Sequence, residues 1–374
     1  MPPVELFDEV VSFSGLLRAW ERARRGAGGS EACLAFGFHL EEELLRLQDE
    51  LVANTYQPGG YRTFTVREPK PRLIAEAPFR DRVVHHAVVA VLEPLYEESF
   101  IEDSYATRKG KGTHRAVRRA QGLLRQHRWY LKSDIRSYFA SIDLDILMDL
   151  LRNQVSDERL LALLERILRC DPQHPGLPIG NLTSQFLANV YLDGFDHWLF
   201  HEERVPGYVR YMDDFVLFHD DRQALKDLLP RLEAWLWEHQ RLTLKAKATR
   251  LNQRRHGLSF LGTRIFAGTI RLRRENLKRS LCGLARREWE SRQGWKTQDE
   301  LAACAQSVLA NLCAWNSLNL RRDIFKGDHL RRLQPCHTGR QLEQQRDQPA
   351  MRQSQQQQPV EHEQQQRLPS LQHP

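Results

Sequence analysis

The chain has 374 residues, 41% of them apolar and 28% charged, with 55 Lys plus Arg against 48 Asp plus Glu and a formal charge of +7. That composition excludes a disordered or fibrous chain, and the length predicts two or three packed subdomains. The basic excess favours a polyanionic partner, and the absence of any run of about 18 apolar residues argues against a membrane span. The first thirteen residues, MPPVELFDEVVSF, lack the basic-then-apolar order of a secretory signal. Six cysteines are scattered without a C-x-x-C pair, so neither a zinc site nor a disulfide framework is expected, and a reducing cytoplasm is the expected location.

In chain order, residues 1–50 carry helical periodicity, with Leu40, Leu44, Leu45 and Leu47 on one face. Two turn signals, Pro58-Gly59-Gly60 and Glu68-Pro69-Lys70-Pro71, flank an alternating strand from Tyr61 to Val66. A buried helix is predicted over 81–96. A Gly/Lys loop at 108–112 then leads into a helix over 113–126, a strand over 129–135 and a helix from Asp143. Gly176-Leu177-Pro178-Ile179-Gly180 breaks the chain before a helix of roughly 183–201. The segment 208–218 reads as an apolar hairpin with Asp213 and Asp214 at its bend. A helix over 222–239 and strands over 242–245 and 258–266 complete a mixed α/β (α+β) unit. Beyond 270 the chain is expected to be helical and basic (Arg271, Arg273, Arg274, Lys278, Arg279). From Gln341 onward 13 of 34 residues are Gln, which predicts a disordered tail.

Asp134, Asp213 and Asp214 each end an apolar strand. A carboxylate in such a place is costly to desolvate unless it is paired or holds a metal. Several carboxylates converging at a sheet edge can hold two Mg²⁺ ions across a phosphate and its nucleophile. Strand-end aspartates also cap helices and turns, and that alternative stays open for Asp134 alone.

Tyr211-Met212-Asp213-Asp214 resembles the signature tetrapeptide of reverse transcriptases, and further blocks of that family follow in the right order over roughly residues 60–325. Leu131–Ser141 is similar to the first palm motif. The resemblance implies Asp134, the Ile135 backbone, Asp213 and Asp214 as ligands of two Mg²⁺ ions, with Mn²⁺ as the alternative ion. Phe139 falls where the family places the aromatic that clashes with a ribose 2′-hydroxyl; ordinary core packing is its other role, and neighbouring Tyr138 leaves one ring for each. Ile179, Gly180 and Gln185 match the loop that contacts template and nucleotide, with Thr183 or Ser184 as a helix cap. Lys70 and Arg72 match a strand that clamps the triphosphate. Lys247, or equally Lys245, stands where a lysine assists pyrophosphate departure. Phe260-Leu261-Gly262 resembles the primer grip.

The resemblance therefore implies an RNA-directed DNA polymerase of right-hand architecture that uses an RNA template, a DNA or RNA primer and dNTPs. It divides the chain into an N-terminal helical extension (1–60), fingers and palm (61–270), a basic helical thumb (271–330) and the tail (331–374). No ribonuclease H or intron-maturation domain is expected. Ile179-Gly-x-x-x-Ser184-Gln185 is the form seen in diversity-generating retroelements, which implies adenine-mutagenic copying and an accessory variability determinant protein as partner. Gln runs coded by CAA would read one base later as the asparagine codons of a template repeat. The alternatives are a group II intron-like or retron-type reverse transcriptase, and a non-catalytic RNA-binding scaffold of the same fold.

Overall fold

The computed structural model describes residues 5–27, 29–67, 71–171 and 175–325. They fall into two units, one ending at Arg273 and one beginning at Arg274. Lys70 and the Gln-rich tail lie outside the described residues.

The first unit opens with four helices, α1 (Leu6–Val11), α2 (Phe13–Arg24), α3 (Glu31–Phe38) and α4 (Leu40–Val52). Ser12 caps α2 by accepting from the Gly15 amide, the favoured role of a serine at a helix start. Leu44, Leu47 and Leu51 form the inner face of α4. Leu45, predicted to share that face, is exposed instead: one position from Leu44, it is turned about 100° away from it. Of these, α1, α2 and α3 pack on α5 (Phe79–Ser99), whose apolar residues lie in the core, and α4 packs on α1, α2 and α3.

Between α4 and α5 the strands β1 (Arg62–Val66) and β2 (Arg72–Glu76) form an antiparallel hairpin, and every residue of β1 is exposed. The main sheet has the order β4–β5–β3–β6, all antiparallel, from β3 (Trp129–Asp134), β4 (Gly207–Tyr211), β5 (Asp214–His219) and β6 (Arg250–Gln253). The helices α6 (Thr113–Gln126) and α12 (Arg222–Gln240) pack against it. Between β3 and β4 run α7 (Tyr138–Ser141), α8 (Leu144–Gln154), α9 (Glu158–Leu168), α10 (Leu182–Tyr191) and α11 (Asp193–His197), followed by a π-turn at Trp198–Glu202. Asp143 caps α8 and Asp157 caps α9. A second sheet, β7 (Leu258–Phe260), β8 (Thr263–Ile265) and β9 (Ile270–Leu272), closes the unit.

Three predicted elements differ. The single strand expected over 258–266 is instead the hairpin β7–β8, because Leu261 and Gly262, both at positive φ, turn the chain back on itself. Residues 242–245 form only a single bridge, Leu244 to Ile135, and the fourth strand of the sheet is β6, which was not predicted. Its sequence, Arg-Leu-Asn-Gln, is polar because it is an edge strand bonded on one side only. The helix expected over 183–201 is broken after Tyr191 into α10, α11 and the π-turn.

The second unit holds α13 (Arg274–Arg292), α14 (Gln298–Cys313) and α15 (Leu318–Phe325). Thr297 and Glu300 form a reciprocal capping box on α14. Arg286 and Arg287 share Glu290, and Arg292 pairs with Glu288, so part of its basic charge is already neutralised. No helix among the described residues is long and apolar enough to cross a membrane. The five described cysteines are all free.

Candidate active site

The antiparallel register sets Asp134, the last residue of β3, directly opposite Asp214, the first of β5, so both side chains leave the same face. Asp213 precedes Asp214 at the bend, and its carbonyl accepts from the Ile135 amide at 3.2 Å. Burial first, and then the Asp134 carboxylate, raise the pKa of Asp213, while Arg72 and Lys245 oppose them. Asp214 is pushed up to about 6, mainly by burial, against the pull of Lys132, whose Nζ lies 2.5 Å from Asp214 Oδ1. Lys245 Nζ stands 3.7 Å from Asp134 Oδ1, and its amide donates to the Asp134 carbonyl at 2.8 Å. Three carboxylates and two lysines thus share one end of the sheet.

The bend itself is held from below. Met212 takes a left-handed conformation, φ 58°, which a non-glycine residue keeps only where its surroundings require it. Arg210, two residues back, is completely buried and donates Nη1 to the Met212 carbonyl at 3.3 Å and to Asn189 Oδ1 at 3.1 Å. Its charge is met by the equally buried Asp196, with Nε to Oδ1 at 2.7 Å, and the Tyr208 hydroxyl donates to the same carboxylate at 2.6 Å. Asn189 also donates to the Ala106 carbonyl, and the Arg210 backbone bonds Asp103 and Tyr105, tying the 103–106 segment to β4.

On another side, the Ile179–Asn181 turn is stapled to β2. The Ala75 amide donates to the Ile179 carbonyl at 2.8 Å. The buried Asn181 side chain accepts from the Ala77 amide and donates to the Ala75 carbonyl, both at 3.1 Å. Gly180 has φ +131°, and a Cβ there would meet Ile74 Cγ2 at 2.8 Å. The close approach that Gly180 permits in the structure is therefore to strand β2. Thr183 and Ser184 are buried and do not cap α10; Asn181 holds the N-cap position, and its side chain is spent on β2. Gln185 is exposed. Arg72, at the start of β2, is exposed and close enough to lower the Asp213 pKa.

Tyr138 lies in the core with its hydroxyl on the Ala188 carbonyl, whereas Phe139 is half-buried at the edge of the core. The Phe139 carbonyl accepts from the Leu177 amide, fixing the 176–177 turn beside it. Of the two candidate lysines, Lys245 is the one beside the carboxylates, and Lys247 sits exposed on the following turn, 246–248. Leu261 (φ 45°) and Gly262 (φ 77°) form the tight turn between β7 and β8, with Phe260 buried behind it. Lys132, Asp196, Arg210 and Asn181 were not singled out in the sequence. A charged residue inside an apolar strand is the signal that could have found Arg210.

The model of the family described as reverse transcriptase (RNA-dependent DNA polymerase) matches residues 66–265, more than half of the chain. The chain belongs to the reverse transcriptase family. It is 27% identical over 274 residues to protein YkfC of Escherichia coli, covering 60% of this chain and 72% of that one. It is 26% identical over 170 residues to the group II intron-encoded protein LtrA of Lactococcus lactis, and 32% identical over 91 residues to nuclear intron maturase 1 of Arabidopsis thaliana. These matches cover 42% and 24% of this chain, but only 28% and 13% of those longer relatives. In fold it is similar to the apo telomerase of Candida tropicalis, with a TM-score of 0.47 and 8% identity over 60% of this chain and 50% of that one.

The mixed helix-and-sheet structure is that of a right-hand reverse transcriptase, with the family match spanning β2, the main sheet and the β7–β8 turn. Reverse transcriptases use divalent metal ions. The donor set here suits a hard cation: three carboxylates with repulsion among them, which a divalent ion would relieve. Among the described residues, however, no three ligating side chains are already closed around one point, since Asp214 faces Lys132 and Asp134 faces Lys245.

Proposed function

We propose that this chain makes cDNA from an RNA template as the error-prone, adenine-mutagenic enzyme of a diversity-generating retroelement. The polymerase reading rests on the register that sets Asp134 opposite Asp214 with Asp213 at the adjoining bend. Asp134, Asp213, Asp214 and the Ile135 backbone would hold two Mg²⁺ ions, or Mn²⁺, which when bound activate the primer 3′-hydroxyl and neutralise pyrophosphate. Residues 61–270 then act as fingers and palm, 271–330 as a basic thumb along the duplex, and 1–60 as a helical extension. Arg72, with Lys70, clamps the triphosphate. Phe139 rejects ribonucleotides, and Leu261-Gly262 meets the primer. Lys245 takes the pyrophosphate-side role in preference to Lys247, because of its contact with Asp134.

Ile179 supports the retroelement reading, because an isoleucine offers the nascent pair no hydrogen bond and so tolerates mispairing. That reading brings an accessory variability determinant protein as partner and a cytoplasmic setting. A group II intron-like enzyme is the second reading, favoured by the likeness to LtrA and to an intron maturase. Extension of a primer on an RNA template with Mg²⁺ tests both. Activity must vanish in Asp213→Ala and Asp214→Ala, and an inactive wild-type chain sinks the polymerase reading in favour of a scaffold. Errors clustered opposite template adenines and reduced by Ile179→Gln support the retroelement enzyme; errors spread evenly over the template favour the intron-like one. Phe139→Ala raises ribonucleotide incorporation if that ring guards the sugar.

A further inference from the structure

Six arginines gather at the end of the main sheet away from the aspartates. Arg128 directly precedes β3, and at about 3.3 Å per residue it lies roughly 20 Å along the strand from Asp134. The 254–256 turn after β6 sits beside it. There the Arg254 amide donates to the Arg128 carbonyl and Arg254 Nη1 to the Arg125 carbonyl, both at 2.9 Å. Arg125 Nε donates to the Ala267 carbonyl at 2.7 Å. Arg264, on β8, donates to Ser259 Oγ at 2.6 Å and to the His256 carbonyl. Arg222 lies over the Trp129 ring, 5.4 Å from its centroid. Arg255, in the 254–256 turn, completes the group.

None of the six meets a carboxylate among the described residues. Arginines elsewhere on the surface do: Arg46 pairs with Glu50, Arg152 with Asp149, Arg169 with Glu165 and Arg231 with Glu203. At the sheet's far end Asp220 accepts from the Arg128 amide at 3.0 Å and faces His127, and Asp221 is spent capping α12. Five of the six guanidinium groups are exposed, and Arg264 is half-buried. Arg125, Arg222, Arg254 and Arg264 are held by carbonyls, a hydroxyl or a ring, contacts that fix a guanidinium without neutralising it. Fixed planar forks with their charge unspent are pre-organised for phosphate oxygens.

The rest of the surface narrows the partner. Among the described residues, no large apolar side chain is exposed in 113–130 or 250–270. A protein partner wants an apolar centre to its interface, and a single strand wants exposed aromatic rings on which its bases stack. A surface of guanidinium groups with neither suits a duplex backbone, which is met through charge and shape. The family is RNA-dependent, so the duplex within reach is a folded part of the RNA being copied. We propose that this arginine surface docks a base-paired stem of the template-bearing RNA, outside the copied stretch. The stem is thereby held on the enzyme while its template runs past Asp134.

The test titrates the full chain with a closed RNA hairpin that has no overhang, over a range of salt, with and without saturating primer–template. The hairpin binds in both cases. The side chains of Arg128 and Arg255 make no hydrogen bond or ion pair among the described residues. In the double variant Arg128→Gln, Arg255→Gln the log–log salt slope for the hairpin falls by roughly two, one for each lost phosphate contact. The double variant Arg46→Gln, Arg152→Gln removes the same charge from paired positions and leaves that slope unchanged. Primer extension and its KM for primer–template stay at the wild-type values in both. An unaltered slope in the first variant, at a wild-type melting temperature, overturns the surface. Displacement of the hairpin by primer–template does the same, because it puts the hairpin in the copying cleft. A DNA hairpin bound as tightly as the RNA one overturns the assignment to RNA. A polyglutamate peptide bound more tightly than either overturns it in favour of an acidic protein. The RNA template is taken from the family, and primer extension by the wild-type chain reads that premise separately.

Discussion

Two hairpins serve the candidate site, and they are stable for opposite reasons. In β4–β5 nearly every residue is buried, Phe215 and Phe218 fully so, and β5 is bonded on both sides. In β1–β2 the whole of β1 is exposed, including Phe64 and Val66, and the pair belongs to no larger sheet. An isolated two-stranded hairpin is marginal in water. The second hairpin is held instead by its staple to Ile179 and Asn181. The buried hairpin fixes carboxylates that must not move, and the exposed one presents Arg72 on a strand that a few hydrogen bonds can release.

The largest test of this contrast is Arg210→Met. It leaves Asp196 buried without its cation, at a cost of about 3–5 kcal/mol, and frees the Met212 carbonyl. Adding Asp196→Leu should restore much of the melting temperature. Primer extension should stay low, because the bend has lost its donor; full recovery would mean the ion pair only stabilises the fold. Paired phenylalanine truncations sharpen the same point. Phe215→Ala should cost about 3–5 kcal/mol by chemical denaturation, and Phe64→Ala about 0.5 kcal/mol or less.

Asn181→Ala strands the Ala77 amide and the Ala75 carbonyl, for a loss of about 1–3 kcal/mol. Its signature should be a raised KM for dNTP with a smaller change in kcat, as expected if β2 only positions Arg72. A fall in kcat alone would place Asn181 with the carboxylates instead.

The smallest effect concerns acidity in metal-free protein. The folded pKa of Asp214, about 6, lies above its ordinary value of 3.8, so the fold binds the protonated form better. That contribution is present below about pH 4 and is lost as pH rises to about 6, by linkage. Asp214→Asn in chelator should therefore show a flatter melting-temperature profile between those values than wild type. Parallel profiles would mean that Lys132 already compensates the charge in full.

Much of the frame was legible in the sequence because local chemistry wrote it there. The bounds of α6 follow from the left-handed Gly112 before it and the amphipathic period within it, and both ends agree with the prediction. The hairpin bend at Met212-Asp213 was readable from two acids breaking an apolar run. The strand β6 was not, because an edge strand with one bonded side needs no apolar alternation. The choice between Lys245 and Lys247 could not be made from spacing, since the bridge at Leu244 and the turn after it decide which lysine meets Asp134.

The residue types of the candidate site and their order along the chain are legible without the fold, because a carboxylate or a glycine is a property of one position. What those residues face is set by the packed fold. It set Asp134 opposite Asp214 through strand register, turned Gly180 toward β2, and buried Arg210 on Asp196 beneath the bend. Each of these depends on contacts between positions far apart in the chain, or across a turn the chain had to fold to make. Such pairings are chosen by the packing of the whole core and leave no periodic trace in either partner.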